Sequence, residues 1–304
     1  MKLKQSTIAK SIHCEGVGIH SGESVKLVVN PADSNHGIVF RRTDSGHKCR
    51  IPAICENIKS ALNASTVGVN GTRIGTVEHI MAAFSGLGVD NAEILVDGPE
   101  VPILDGSAAP WVSMIKEAGM VDNDAPKACL VVTRPVTARR NGSFSELRPS
   151  TRQEINCTIS YPHPLLSRQD LSVRVDPDYF EENIAGARTF GFLEDVEKLR
   201  AMGLAKGGSL ENAVVLDKNG VMNEEGLRFK DEFVRHKVLD IIGDMSLAGM
   251  PIVGKINAYK TGHGLNHLLV QRLLSNPENF DIVECEELPH CSRRNANEMQ
   301  AAAL

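Results

Sequence analysis

Residues 231–244, DEFVRHKVLDIIGD, constrain the fold of this chain more than any other stretch. Apolar residues recur there at helical spacing, and no glycine or proline interrupts the stretch before Gly243, so the sequence predicts a helix. On this helix His236, Asp240 and Asp244 follow one another at four-residue intervals, so their side chains share one face. The apolar positions that define the period are Phe233, Val234, Val238, Ile241, Ile242 and Met245.

A helix face that carries one imidazole and two carboxylates can bind a metal ion. Imidazole nitrogen and carboxylate oxygen are both zinc ligands, and a catalytic zinc usually takes three protein ligands and a water molecule. His236 and Asp240 supply two ligands, so a third must come from elsewhere in the chain. The alternative is a solvated polar face that also includes Asp244, because charged helix faces are common and the H-x-x-x-D spacing alone is weak evidence.

A second histidine, preceded by a glutamate, lies far upstream in residues 76–86 (TVEHIMAAFSG). This segment has helical period, with Thr76 as the predicted N-cap and Gly86 as the predicted end. Adjacent residues on a helix point about 100° apart, so His79 can bind a metal ion while Glu78 reaches a water molecule beside it. The alternative is a glutamate that stabilises the positive end of the helix, next to a partly buried histidine.

Two further histidines lie in glycine-flanked loops. His263 lies in residues 260–266 (KTGHGLN), between a predicted strand and a predicted helix, and His20 lies in residues 16–22 (GVGIHSG). Functional residues concentrate on such loops, and the flanking glycines let a ligand approach closely. A turn histidine that merely caps the next helix is the alternative. The GVG triplet is no dinucleotide fingerprint, because the G-x-G-x-x-G spacing and a following helix are absent.

A segment of mixed polarity lies between residues 187–191 (ARTFG) and residues 204–213 (LAKGGSLENA). Thr189 can donate a hydrogen bond to an oxyanion, and Phe190 can line an apolar tunnel. The pattern alone is equally typical of ordinary loop residues. A function for Thr189 and Phe190 therefore needs support from other parts of the sequence.

Composition narrows the class of protein. Apolar residues make up 42% of the 304 residues and charged residues 23%, which is typical of a folded globular protein and not of a disordered one. The net charge of −5 gives no reason to expect nucleic acid as a partner. The seven cysteines are dispersed and never form a C-x-x-C pair, and no run of 18 apolar residues occurs. Without an apolar signal segment at residues 1–13, we expect a protein of the reducing cytoplasm that does not cross the membrane.

The order of the predicted elements indicates an α+β protein of two domains, residues 1–124 and residues 125–304. The polar, proline-containing residues 122–127 (DNDAPK) are the predicted linker, and residues 291–304 are predicted to be frayed. The predicted strands include 23–29, 37–40, 92–96, 128–132, 155–160, 171–175 and 252–258, and the other predicted helices are 111–118, 177–183, 193–201 and 266–274.

A short internal echo favours a duplicated fold. His79 is followed by Gly86 seven residues later, and His236 is followed by Gly243 at the same interval. Each half also runs from strands to helices, so two similar α+β halves with a site between them would fit. The echo is too short to establish this topology alone.

Five motifs in sequence order resemble the UDP-3-O-acyl-N-acetylglucosamine deacetylases, the zinc amidases of lipid A biosynthesis in Gram-negative bacteria. The resemblance runs from about Gly16 to Asn266 and covers both halves. The motifs are TVEHIMAAFSGLGVDN, VPILDGSAAP, ARTFGF, VMNEEGLRFKDEFVRHKVLD and KTGHGLNH.

The resemblance implies a duplicated two-domain α+β fold, in which each half packs two helices on a small sheet and the active site lies between the halves. It implies an enzyme that binds zinc and acts on UDP-3-O-acyl-N-acetylglucosamine; ferrous iron also suits two histidines and one carboxylate. Apart from the resemblance, we expect a monomer. The implied zinc ligands are His79, His236 and Asp240. The implied catalytic residues are Glu78 as general base, His263 as general acid, Asp244 as its partner and Thr189 at the oxyanion. The implied substrate-binding residues are Lys237 and Phe190, with residues 190–213 forming the acyl passage. We also expect His20 and Lys260, from the two glycine-flanked loops, to bind the substrate.

Two other functions share these features. One is a different metallo-N-deacetylase that acts on another acylated amine, which the ligand set does not exclude. The other is a metal-binding regulatory protein without turnover. Glu78 and His263 argue against the second, because a binding module needs neither an acid nor a base beside its metal.

Overall fold

The computed structural model describes residues 2–44 and 49–288, so the predicted frayed tail lies outside the described residues. The first half contains β1 (Lys4–Ile8), β2 (Ile12–Val17), β3 (Ser24–Pro31), β4 (Ile38–Arg42), β5 (Arg50–Pro52), β6 (Ile58–Ser60), β7 (Thr66–Val69), β8 (Thr72–Ile74), α1 (Glu78–Leu87), β9 (Ala92–Val96), α2 (Ala109–Ala118) and β10 (Met120–Pro126).

The second half contains β11 (Ala128–Val132), β12 (Val136–Arg140), β13 (Ser143–Arg148), β14 (Glu154–Ile159), β15 (Gln169–Arg174), α3 (Pro177–Asn183), β16 (Phe190–Phe192), α4 (Leu193–Ala201), β17 (Val214–Asp217), β18 (Gly220–Val221), α5 (Glu232–Ser246), β19 (Ile252–Val253), β20 (Lys255–Tyr259), α6 (His263–Leu274) and β21 (Phe280–Glu284). The predicted α+β class is confirmed, and every predicted helix and strand overlaps an observed one.

The five-stranded sheets of the two halves share one topology. Each has a five-stranded sheet, in the order β2-β3-β9-β4-β5 in the first half and β12-β13-β20-β14-β15 in the second. In both sheets the last strand, β9 or β20, enters the middle, antiparallel to one neighbour and parallel to the other. Each half also carries a three-stranded sheet before its first long helix, β6-β7-β8 or β16-β17-β18. The equivalence confirms the predicted duplication.

The first long helices of the two halves, α1 and α5, pack against each other and bury most of their side chains. Gly243 makes this close packing possible, because a Cβ atom added there would lie 2.1 Å from the carbonyl oxygen of Glu78. The core around the helices is continuous through both halves. Its largest fully buried side chains include Trp111, Phe40, Phe84, Phe180 and Phe233.

Both predicted ends of α1 are wrong. Thr76 does not cap the helix: the N-cap is Val77, without a side-chain bond, and the Thr76 hydroxyl instead donates to Glu100 Oε1 over 2.6 Å. Gly86 does not end the helix, which continues to Leu87 and stops at Gly88 in the left-handed region, with φ of 82°. Gly86 serves packing instead, since a Cβ atom there would overlap the ring of Phe180 at 2.2 Å.

The structure shows a strand in the segment that the sequence predicts as a linker, residues 122–127. Most of them belong to β10, which pairs antiparallel with β1, so backbone hydrogen bonds hold this polar segment in a sheet. Its proline stands at the end of the strand, where a missing N–H does least harm. The division into domains after residue 124 stays a prediction.

Two more boundaries differ from the sequence prediction. The predicted strand 252–258 is split at Gly254: β19 pairs with β11, and β20 joins the five-stranded sheet. The predicted helix 266–274 begins earlier, at His263. No helix within the described ranges combines the length and the apolar character needed to span a bilayer.

Candidate active site

The packing of α1 on α5 brings together the three predicted metal ligands. His79 comes from the first turn of α1, and His236 and Asp240 lie one turn apart on α5. Their candidate ligand atoms all lie within 4.8 Å of one another, and all three residues are buried. Asp240 Oδ1 lies 3.8 Å from His79 Nε2 and 3.4 Å from His236 Nε2.

The chemistry of this cluster fits a bound cation. Asp240 Oδ1 is fully buried and has no hydrogen-bond partner in the described part of the chain, which a buried carboxylate oxygen rarely tolerates. His236 Nδ1 donates to the carbonyl oxygen of Ala187 over 3.0 Å, so its Nε2 carries the lone pair that faces the cluster.

The charge states of the three groups also suit a metal ion. Burial, followed by the neighbouring His236, lowers the pKa of His79 to about 3, and burial also lowers the pKa of His236. Both imidazoles are therefore neutral, as metal ligands must be. Burial opposes ionisation of Asp240, but the neighbouring Lys237 ammonium outweighs it and lowers the pKa of the carboxyl group.

A second group of titratable residues lies beside the cluster. His263 Nδ1 lies 2.9 Å from Asp244 Oδ2, and His263 Nε2 lies 3.7 Å from Glu78 Oε1. All three residues are buried. The His263 imidazole thus lies between two carboxylates, with Asp244 at Nδ1 and Glu78 at Nε2.

This arrangement shifts the pKa values of Glu78 and His263 in directions that suit acid–base catalysis. Burial raises the pKa of Glu78 to about 7, so the carboxyl group titrates near neutrality. Burial disfavours the charged form of His263, but Asp244 and Glu78 outweigh it and raise the pKa of His263 to about 10. A base and an acid therefore face each other across one small space.

His263 does not lie in the predicted loop but is the first residue of α6, after Gly262 as N-cap. The preceding Lys260 adopts a left-handed backbone conformation with φ of 51°, which turns the chain from β20 into the helix. Lys260 is exposed and also lines the cavity described below.

Sequence reasoning missed several residues that contact the Asp244 carboxylate. Asn266 Nδ2 donates to Oδ2 over 2.8 Å, Ser65 Oγ donates to Oδ1 over 2.5 Å, and His267 Nε2 lies 3.3 Å from Oδ1. One signal was present in the sequence: His267 follows His263 by one helical turn and therefore lies on the same side of α6. Nothing in the sequence near Ser65 points to its role.

A cavity of about 750 Å³ opens from these two groups. The predicted residues Thr189, Phe190, His20, Lys237 and Lys260 all line it, together with the metal cluster, Glu78 and His263. Most of its apolar lining comes from the insert of the second half, which contains the sheet β16–β18, α4 and the loops beside them: Phe190, Leu193, Val196, Leu199, Leu210, Ala213, Val215 and Met222. The cavity is therefore polar where α1, α5 and α6 meet and largely apolar along the insert.

The lining residues are held by contacts of their own. Lys237 Nζ donates to Asp240 Oδ2 over 2.8 Å and lies 5.4 Å from the centre of the Phe190 ring. The His20 amide donates to the buried Glu100 carboxylate at 3.0 Å.

The backbone before Thr189 is fixed by a buried ion pair. Arg188 Nε donates to Glu232 Oε1 over 2.9 Å, and both side chains are almost completely buried. Because α5 carries Glu232 in its first turn, this pair ties the segment that contains Thr189 to the helix that carries His236.

Duplicated α+β halves that share a His-His-Asp cluster beside a buried acid and base define a metal-dependent hydrolase. Comparison with known proteins specifies the family. The chain belongs to the LpxC family, UDP-3-O-acyl N-acetylglycosamine deacetylase, whose model matches residues 5–275.

Relatives along nearly the whole chain carry the same name, UDP-3-O-acyl-N-acetylglucosamine deacetylase. The protein of Myxococcus xanthus is 49% identical over 92% of this chain and 89% of its own length. The protein of Syntrophus aciditrophicus is 48% identical over 93% and 91%, and that of Psychrobacter cryohalolentis is 44% identical over 95% and 91%. The resemblance that the sequence motifs indicate is therefore confirmed.

Proposed function

We propose that this protein hydrolyses the N-acetyl group of UDP-3-O-acyl-N-acetylglucosamine, releasing acetate and the free 2-amino sugar, as a step of lipid A biosynthesis. One observation carries the proposal: a buried metal-ligand cluster with an adjacent acid and base opens into a cavity whose insert side is apolar. The substrate has two corresponding parts: the amide of the sugar head group suits the polar part of the cavity, and the attached acyl chain suits the apolar part. The names of the relatives agree.

His79, His236 and Asp240 would hold the metal ion, which we propose is zinc, with ferrous iron as the alternative. When bound, the cation would polarise the amide carbonyl group and make a water molecule more acidic. The remaining steps fall to side chains of this chain.

Glu78 is the proposed general base. Its carboxylate removes a proton from the attacking water as the new C–O bond forms at the acetyl carbon. The oxyanion that develops accepts a hydrogen bond from the Thr189 hydroxyl. His263, held cationic by Asp244 and donating from Nε2, then protonates the amine nitrogen as the C–N bond breaks. The products are acetate and the amino sugar.

The remaining predicted residues would bind the substrate. Phe190 and the insert, residues 190–213, supply the apolar lining that an acyl chain requires. Lys237, His20 and Lys260 line the polar part of the cavity, where the nucleotide-sugar portion would lie. We further propose a monomer of two domains, residues 1–124 and 125–304, in the cytoplasm; the thiols of Cys14, Cys49, Cys55 and Cys157 suit a reducing compartment.

The test combines metal content with acetate release from UDP-3-O-acyl-N-acetylglucosamine. We expect about one metal ion per chain, loss of acetate release on chelation, and recovery when zinc is added back. Recovery with ferrous iron but not with zinc would reassign the metal. A metal-loaded protein that releases no acetate from substrates of several acyl lengths would favour a binding protein over an enzyme.

A further inference from the structure

Ser65 lies immediately before β7 and contacts both carboxylates of the proton-transfer group. Its backbone amide donates to Glu78 Oε2 over 2.9 Å, and its hydroxyl group donates to Asp244 Oδ1 over 2.5 Å. Its relative exposure is 0%, so water does not compete for either bond. One small residue of the first half thereby sets the position of a carboxylate on each of the two packed helices.

His267 supports Ser65 from the opposite side. Its Nε2 lies 2.9 Å from Ser65 Oγ, while its Nδ1 is buried with no hydrogen-bond partner within the described ranges. The Ser65 hydroxyl proton points to Asp244, so the serine oxygen must accept from His267 Nε2–H. A buried lone pair without a partner costs less than a buried N–H without one, which agrees with this tautomer.

The two oxygen atoms of Asp244 have different partners. Oδ2 contacts His263, the proposed acid, whereas Oδ1 is held by Ser65 at 2.5 Å and by His267 at 3.3 Å. If the serine hydroxyl were lost, Oδ1 would keep only the longer contact in a fully buried pocket. The carboxylate would then rotate toward a new donor, and the imidazole it orients would move with it.

We propose that Ser65, supported by His267, is the positioning residue of the proton-transfer group: its hydroxyl holds Asp244 against His263 while its amide holds Glu78. Its catalytic meaning rests on the proposed deacetylase function. The two bonds are separable, because replacing the side chain leaves the amide in place.

Ser65→Ala tests the hydroxyl alone. Loss of a hydrogen bond that orients a catalytic group typically costs about 10- to 100-fold, so we expect kcat to fall by about this factor. KM and metal content should stay unchanged, since neither the metal ligands nor the cavity lining is touched. Ser145→Ala is the matched control: Ser145 is 1% exposed, and its hydroxyl has no partner in the described structure. It should retain full activity.

A double-mutant comparison separates positioning from simple destabilisation. If Ser65 acts through Asp244, then Ser65→Ala should lower kcat by less than about twofold in an Asp244→Asn background. A full multiplicative loss there would overturn the proposal. If Ser65→Ala does not fold, His267 supplies the test: His267→Gln keeps a donor and should lose less activity than His267→Leu, and equal losses would contradict the positioning role.

A measurement without turnover distinguishes this proposal from the proposed function. The hydrogen-bonded Nδ1 proton of His263 can be followed by NMR in protein labelled with ¹⁵N-histidine. We expect its resonance to move in Ser65→Ala but not in Ser145→Ala. A moved resonance in a protein that releases no acetate would leave the positioning intact and refute the deacetylase. An unmoved resonance together with wild-type kcat would refute the positioning role.

Discussion

The two halves contain five-stranded sheets of the same topology but contribute to the site in different ways. The first half supplies its residues from the start of α1, where Glu78 and His79 are adjacent, whereas the second supplies His236, Asp240 and Asp244 from successive turns of α5. The inserts differ as well: β6–β8 is a three-stranded sheet without a helix, while the insert of β16–β18 contains α4 and supplies most of the apolar lining of the cavity. The two halves therefore supply equivalent five-stranded sheets, and the proposed chemistry depends on the site residues and inserts in which the halves differ.

The strongest test of this division removes one metal ligand from each half. His79→Ala and Asp240→Ala should each abolish metal binding, and acetate release should fall by about 10³-fold or more, because several kcal/mol of transition-state stabilisation are lost. Metal analysis of the purified variants and an acetate assay check this. If one variant kept both metal and activity, the site would belong to a single half.

Glu78→Gln should separate chemistry from metal binding within the first half. The amide is nearly the same size but cannot accept the proton, so kcat should fall by about 10²- to 10⁴-fold while metal content stays at the wild-type value. Asp240→Ala, measured in parallel, shows what metal loss looks like. A Glu78→Gln protein without metal would assign the glutamate to the metal cluster.

His263→Gln should change the pH dependence as well as the rate. Activity needs Glu78 deprotonated and His263 protonated, so it should rise with pH as Glu78 loses its proton and fall as His263 loses its proton. Without a metal ion the two pKa values are about 7 and about 10. A bound cation lowers both values, because it disfavours added positive charge. In His263→Gln the decline at high pH should disappear and kcat should fall about 10²-fold or more. A persistent alkaline decline would place the acid elsewhere.

Gly243→Ala probes the contact between the halves. Alanine usually stabilises a helix relative to glycine, by about 1 kcal/mol. Here its Cβ would overlap the Glu78 carbonyl group, so we expect a loss of about 1–3 kcal/mol in the free energy of unfolding. Denaturant titration of the metal-free protein measures it. A more stable variant would show that the two helices can separate without cost.

The smallest expected effect concerns the insert of the second half. Leu199→Ser should lower kcat/KM for a long-acyl substrate by about tenfold, since roughly 1–2 kcal/mol of apolar contact is lost, and should leave a short-acyl substrate almost unaffected. Lys198→Ala is the control, because Lys198 lies on the same helix but does not line the cavity. Equal losses of kcat/KM for both substrates would show that the acyl chain does not bind along α4.

The sequence predicts most of the helices because burial imposes a strong period on them. Residues 231–244 are the clearest case: α5 spans Glu232–Ser246, and its polar face carries the cluster. The family motifs identify the residues of the cluster and their neighbours. In the structure, all eleven predicted site residues lie in one cavity or next to it. Their roles remain predictions.

The errors share a physical cause. Threonine is a typical N-cap and glycine is typical of a helix end. The contact of Thr76 with Glu100 and the packing of Gly86 against Phe180 determine the roles of these two residues instead. The strand in the polar segment 122–127 has no signal in the sequence, because pairing with a distant strand leaves no local pattern. Ser65 was missed for the same reason, since its partners lie 13 and 179 residues away in sequence.

Because the proposed metal ligands come from both halves, metal binding would be coupled to the stability of the fold. An ion held by His79 on α1 and by His236 and Asp240 on α5 would bind only while the two helices are packed together. At a free metal concentration about 1,000 times Kd, such binding adds about 4 kcal/mol to the free energy of unfolding. Metal starvation would therefore lower the amount of folded protein as well as its turnover.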